Sequence, residues 1–268
     1  MATAVAKRKD GGGSGSGGGG AAGLGKGKGK GGGAGGLKLP TREKSLLTSV
    51  LFVLPLMLAY QIGILASGFR NGVDYVTRLL FWAVGYQRNL YLLVNLGILV
   101  LFVGAVLYLR KKQKLDLKRF PMMIVESTVY ALLMGSFILF LMSKVLHLSP
   151  RLSIAGSGAY DELIMSIGAG VHEELIFRMG LMVGLAWLGA RVFKLKGGVA
   201  LAGAFLLSSL LFSAAHHIGP FGEPFKFGVF TYRVLSGLVF ATIFYYRSFA
   251  TAVYTHALYD IYVLLVRG

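Results

Sequence analysis

The sequence predicts an all-α, polytopic helical membrane protein of about seven or eight transmembrane helices, with its chemistry-bearing core in the C-terminal half. Three observations predict this. Hydrophobic residues make up 55% of the 268 positions, and the mean hydropathy is +0.66, well beyond an ordinary soluble domain. After Pro40 the chain is a succession of apolar runs, each near the roughly 20 residues that a bilayer-spanning helix needs. The runs lack the alternating pattern of barrel strands. With no water to satisfy backbone groups in lipid, helices are the expected spanning form.

The elements follow in order. Residues 1–44 form a tail rich in glycine and lysine, as in Gly25-Lys26-Gly27-Lys28-Gly29-Lys30. Such a segment has no apolar surface to offset its ordering entropy, so disorder is expected. It has no apolar signal-peptide core. It reads as a solvated linker, with attraction of its lysines to anionic lipid headgroups as the sharper alternative. Without aromatic interleaving or a folded basic module, nucleic acid is not an expected partner. Residues 45–149 hold the N-terminal spans, Leu46 to Phe69, Asn89 to Leu109 and Met122 to Leu146, with an interfacial helix around Val76 to Val84. Residues 150–268 hold the core: a long helical stretch from Asp161 to Phe193, then Val199 to His217, Phe227 to Tyr246 and Ala250 to Val266.

The formal net charge of +17 is concentrated in the tail and in the loop from Arg110 to Arg119, which is the strongest cytoplasmic signal. Arg191, Lys194, Lys196 and Arg247 return to the same side, so a cytoplasmic N-terminus, seven spans and an external C-terminus are expected. The chain has no cysteine. That excludes disulfides, thiolate metal ligands and a cysteine nucleophile.

Ionisable residues inside apolar spans are costly and usually functional. The densest group is His172-Glu173-Glu174-Leu175-Ile176-Phe177-Arg178. Glu174 and Arg178 are spaced i,i+4 and share a helix face, so they read as an ion pair. Glu173 lies about 100° around the helix and reads as the carboxylate left for proton transfer. His172-Glu173 begins like the zinc-protease pattern H-E-x-x-H, but the second histidine position holds Ile176, so that pattern fails. His216 follows Phe212 by one turn, after the small residues Ser213, Ala214 and Ala215; His217 points toward the next loop. His256 and Asp260 are again i,i+4, and a carboxylate one turn away can hold an imidazole in one tautomer. Glu126 is expected to reach water or Lys118, and Arg233 either to snorkel outward or to pair with a carboxylate of the site.

Glu173-Glu174-x-x-x-Arg178, Phe212-x-x-x-His216 and His256-x-x-x-Asp260, in that order, resemble the CAAX protease and bacteriocin-processing enzyme family, which includes the type II CAAX prenyl endopeptidases. The resemblance covers roughly residues 150–268. It implies an intramembrane endopeptidase with an all-helical core, in which Glu173 and His216 activate the attacking water. His256 and Asp260 take the positions assigned to oxyanion stabilisation or metal binding. The family has asparagine or aspartate at the last of these positions, and an aspartate donates a hydrogen bond to an oxyanion less readily than asparagine, which favours Asp260 as an orienter of His256. No cofactor is certain. Glu173, His216 and His256 could form a zinc site with an open position, or act as a metal-free base with a histidine-lined oxyanion site. The metal-free version is preferred, because one glutamate can hardly serve as both ligand and base.

A site enclosed in a membrane selects hydrophobic or lipidated peptide segments, with membrane lipids as the other expected partner. The expected location is a bacterial inner membrane. The competing reading is a transporter or proton relay built from the same buried carboxylates and histidines, which would favour an inverted repeat that the sequence does not display.

Overall fold

The structure, a computed structural model, describes residues 46–67, 74–111, 116–148, 158–218 and 222–266. The glycine- and lysine-rich tail and Lys112 to Leu115 of the basic loop lie outside the described residues, and so does the expectation that the tail is disordered. Among the described residues every regular element is helical. Helix α1 (Leu46–Gly63) is followed by the short α2 (Tyr75–Ala83) and by α3 (Arg88–Leu109). A single tight turn leads into α4 (Phe120–Phe140), which ends in a widened π-type turn, Leu141–Val145. Helix α5 (Ala159–Glu174) runs without a break through a π segment, Leu175–Met182, into α6 (Val183–Arg191). Then come α7 (Gly197–Ala215), α8 (Phe227–Tyr246) and α9 (Phe249–Ile261), the last with a π-type end, Tyr262–Val266. All of them lie in one unit, Leu37–Gly268.

Among the described residues, four helical stretches are long and apolar enough to cross a bilayer: Arg88–Tyr108, Leu117–Val145, Gly197–Ala215 and Phe227–Tyr246. Helix α1 is apolar but shorter. Helix α5 holds Asp161, Glu162, Glu173 and Glu174, and α9 has only 13 residues. Length and composition alone therefore account for four of the expected seven or eight spans. The apolar faces of α3 and α4, with Leu92, Leu93, Leu96, Leu101, Leu132, Leu133 and Phe137 exposed, have no partner helix against them among the described residues. Apolar surface on this scale belongs against lipid, and the chain is an integral membrane protein.

Helix α9 is the hub. Ten of its 13 residues are buried, because α5, α4, α8 and α1 all pack against it. Its small residues Ala250, Ala252, Val253 and Ala257 allow that crowding. The tightest approach is at Gly170 of α5. A Cβ there would lie 2.8 Å from the Cβ and backbone nitrogen of Ala257 and 2.8 Å from the carbonyl oxygen of Val253, closer than real side chains come. This glycine brings the carboxylates at 173 and 174 within reach of His256. Ser248 caps α9, accepting from the backbone nitrogen of Thr251 at 3.0 Å, which satisfies one of the helix's unpaired N–H groups.

One charged residue departs from expectation. Glu126 does not turn to water or to Lys118. It pairs with Arg247, at the turn between α8 and α9, and accepts from Tyr130 at 2.6 Å. The long-range partner wins because α4 packs along α9, which carries that turn to Glu126.

Candidate active site

Three helices contribute the polar residues. Helix α5 supplies Glu173 and Glu174, and the π segment that follows supplies Arg178. The C-terminal end of α7 supplies His216, and α9 supplies His256 and Asp260. Widened π turns are rare and concentrate at functional sites; this one starts immediately after the carboxylate pair.

Glu174 and Arg178 are almost wholly buried, and Glu174 Oε1 lies 3.2 Å from Arg178 Nη1. The same oxygen accepts from His256 Nδ1 at 2.8 Å. Arg178 Nη2 donates to the carbonyl of Gly237 at 3.3 Å, and its guanidinium lies over the Phe212 ring at 4.4 Å and near the Phe240 ring at 5.3 Å. A planar cation between aromatic faces gains a favourable cation–π contribution where no water competes. Among the described residues, Glu174 Oε2 and Arg178 Nη1 have no hydrogen-bond partner.

Glu173 is buried beside this pair. Its Oε2 lies 3.7 Å from His216 Nε2 and 3.9 Å from His256 Nε2. His216 Nδ1 is 2.9 Å from the carbonyl oxygen of Phe212. A carbonyl can only accept, so Nδ1 carries the hydrogen and neutral His216 presents a lone pair at Nε2 toward Glu173. The His256 ring stacks on Phe240 at 4.3 Å between centroids. Asp260 Oδ2 lies 3.6 Å from His256 Nε2, beyond hydrogen-bond range, so Glu174 rather than Asp260 makes the bond that fixes this ring. The side chains of His216 and Asp260 are each 26% exposed, against 5–7% for His256 and Glu173. The cluster therefore opens on the His216–Asp260 side and is closed behind Glu174 and Arg178. Every site residue expected from the sequence, Glu173, Glu174, Arg178, His216, His256 and Asp260, is in this one place.

The mouth has a loop of its own. The backbone nitrogen of Glu223 donates to the carbonyl of His216 at 2.9 Å, and His217 Nδ1 donates to the carbonyl of Glu223 at 3.0 Å. The carboxylate of Glu223 is held by both guanidinium nitrogens of Arg233, at 2.7 and 3.1 Å. Burial pushes the Glu223 carboxyl up, but the hydrogen bonds and charge of Arg233 pull it further down, so it stays below its ordinary value. Arg233 thus pairs with a loop carboxylate and not with Glu173 or Asp260. Glu223 gave no sequence signal, because nothing in its local spacing names a partner ten residues on.

Among the described residues, no group of three or more histidine, aspartate and glutamate side chains is arranged to hold a metal ion. Glu173, His216 and His256 face one another without forming a ligand set.

Residues 156–262 match the family model described as type II CAAX prenyl endopeptidase Rce1-like. No curated protein and no solved structure matches the chain.

Proposed function

We propose, from the match of residues 156–262 to the type II CAAX prenyl endopeptidase Rce1-like family model, that Glu173 and His216 activate a water molecule for attack on a peptide bond. The match supports a CAAX-type membrane protease in general terms and does not favour the transport reading. The observation that carries the finer reading is the meeting of Glu173 Oε2 with His216 Nε2 at 3.7 Å. Two acceptors that face each other across this distance are bridged by a molecule that donates to both. A water held there donates one hydrogen to each and directs its oxygen lone pairs away from them.

The water oxygen bonds to the scissile carbonyl carbon while Glu173 or His216 takes a proton. Collapse of the tetrahedral adduct breaks the C–N bond, and the captured proton passes to the leaving nitrogen. His256, with Nδ1 on Glu174, presents Nε2 to the same space; in its protonated form it donates to the developing oxyanion. Asp260, beside that nitrogen, supports the ring's charge.

The substrate class we propose is a hydrophobic or lipidated protein segment, because the cluster lies among apolar helices and opens beside His216 and Asp260. We further propose a cytoplasmic N-terminus, on the strength of the lysines and arginines between residues 110 and 119, with a bacterial inner membrane as the location. Terminal proteomics of cells carrying the wild-type chain or Glu173→Gln tests the whole reading. New protein termini that depend on Glu173 are expected in membrane-anchored or exported proteins. Identical terminal profiles would remove the proposal.

A further inference from the structure

A second group of buried ionisable residues lies outside this cluster, on the other side of α5. It is centred on Asp74, just before α2, which is fully buried. Asp74 accepts from the hydroxyl of Tyr60 at 2.7 Å and from the backbone nitrogen of Thr77 at 2.9 Å. His172 Nε2 lies 3.2 Å from its Oδ1. His172 Nδ1 is 3.0 Å from the carbonyl oxygen of Gly168, so that nitrogen carries a hydrogen. Its Nε2 faces the carboxylate at ion-pair distance, so the imidazole is held from both sides, by the Gly168 carbonyl and by Asp74.

The group ends a continuous seam. Tyr160, Ile164, Gly168 and His172 recur every four residues on one face of α5, and all four meet α1 or Asp74. The hydroxyl of Tyr160 donates to the carbonyl of Gly63 at 3.0 Å. A Cβ on Gly63 would come 2.2 Å from Ile164, and one on Gly168 would come 2.3 Å from the ring of Tyr60. That ring in turn lies 4.7 Å from the imidazole of His172. Helix α5 is thus gripped by α1 on this face and by α9 at Gly170, with Glu173 next in sequence to His172. Tyr60 and Asp74 both precede the family-matched residues 156–262.

We propose that Asp74, Tyr60 and His172 are positioning residues that fix the rotation of α5, and so hold the Glu173 carboxylate against His216 and His256. The front helices are then a working part of the site. A rotation of about 10° moves an atom at the rim of a 10–12 Å wide helix by about 1 Å. A misplacement of that size lowers turnover by as much as about 100-fold. The kinetic consequence rests on Glu173 being the water-activating carboxylate; the positional one does not.

Two measurements on the full chain in lipid nanodiscs test this. In the first, Asp74→Ala, His172→Ala and Asp74→Glu are assayed on a farnesylated, internally quenched peptide that ends in a CAAX sequence, with Glu173→Gln as reference. The two alanine variants lower kcat by about 10- to 100-fold with KM little changed, and Asp74→Glu recovers part of the loss. In the second, Glu173→Cys and His216→Cys are combined in this cysteine-free chain and bridged by a short dithiol-specific reagent, with Asp74 intact or replaced by alanine. Bridging is efficient with Asp74 and falls without it, at an equal folded fraction read by thermal melting. Alanine variants that melt earlier but keep wild-type kcat and bridging have only a structural role, which overturns the inference. If Glu173→Gln still cleaves, or the wild type leaves the peptide intact, the hydrolytic reading fails separately and the bridging result alone decides this one.

Discussion

Glu174 Oε1 serves two cations or donors at once, the guanidinium of Arg178 at 3.2 Å and the imidazole of His256 at 2.8 Å. Removing one member of a buried ion pair leaves the other charge unpaired, at a cost of about 3–5 kcal/mol. Arg178→Ala and Glu174→Ala should therefore lower the melting temperature and the membrane yield sharply, as measured in detergent extracts. Glu173→Gln and His216→Ala should keep near-normal melting and lose activity by about 100- to 10,000-fold. Equal, mild effects of all four substitutions would contradict this division. The Glu174–Arg178 pair was legible because both residues sit one turn apart on one helix. The same local logic pointed His256 at Asp260, also one turn away, whereas the bond that orients its ring comes from Glu174, 82 residues earlier. Helical spacing shows which neighbours share a face, and it is silent on what another helix brings to that face. Asp74 and Glu223 stayed invisible for the same reason.

The decisive element is α5 with its π continuation. Its course was legible from the apolar run between Asp161 and Phe193, and the observed helix spans Ala159–Arg191 in three joined pieces. The widened turns were not legible, since no proline marks them and the lone Gly180 in the longest one does not specify a π turn. Gly170 is the pivot, because no side chain fits between its Cα and the backbone of α9. Gly170→Val should push α5 away from His256, destabilise the protein by about 1–3 kcal/mol as overpacking does, and reduce turnover more than the loss of folded protein explains. Thermal melting and specific activity per folded molecule, measured together, check this. A Gly170→Val protein with wild-type specific activity would show that the approach of α5 to α9 does not set the site.

At the scale of the whole molecule, apolar residues such as Phe137 are exposed at 55% on α4, which is long and apolar enough to span a bilayer. Because the sequence contains no cysteine, single substitutions report cleanly on this arrangement. Phe137→Cys should resist a membrane-impermeant maleimide in intact vesicles and react in detergent, whereas Lys118→Cys should react from one side of the vesicle. Equal labelling of both in intact vesicles would contradict the assignment of α4 to lipid. The fold class was legible from the apolar runs alone. The number of spans was not, because α5 and α9 trade apolar length for the carboxylates and histidines of the site. That trade leads to the central claim, that a peptide bond is hydrolysed by water activated between Glu173 and His216. The most direct measurement is cleavage of a farnesylated CAAX peptide by the purified chain in heavy-oxygen water, with products read by mass spectrometry. One heavy oxygen in the new carboxyl terminus is expected with the wild type and no product with Glu173→Gln; product formed equally by both proteins would rule out water activation by Glu173.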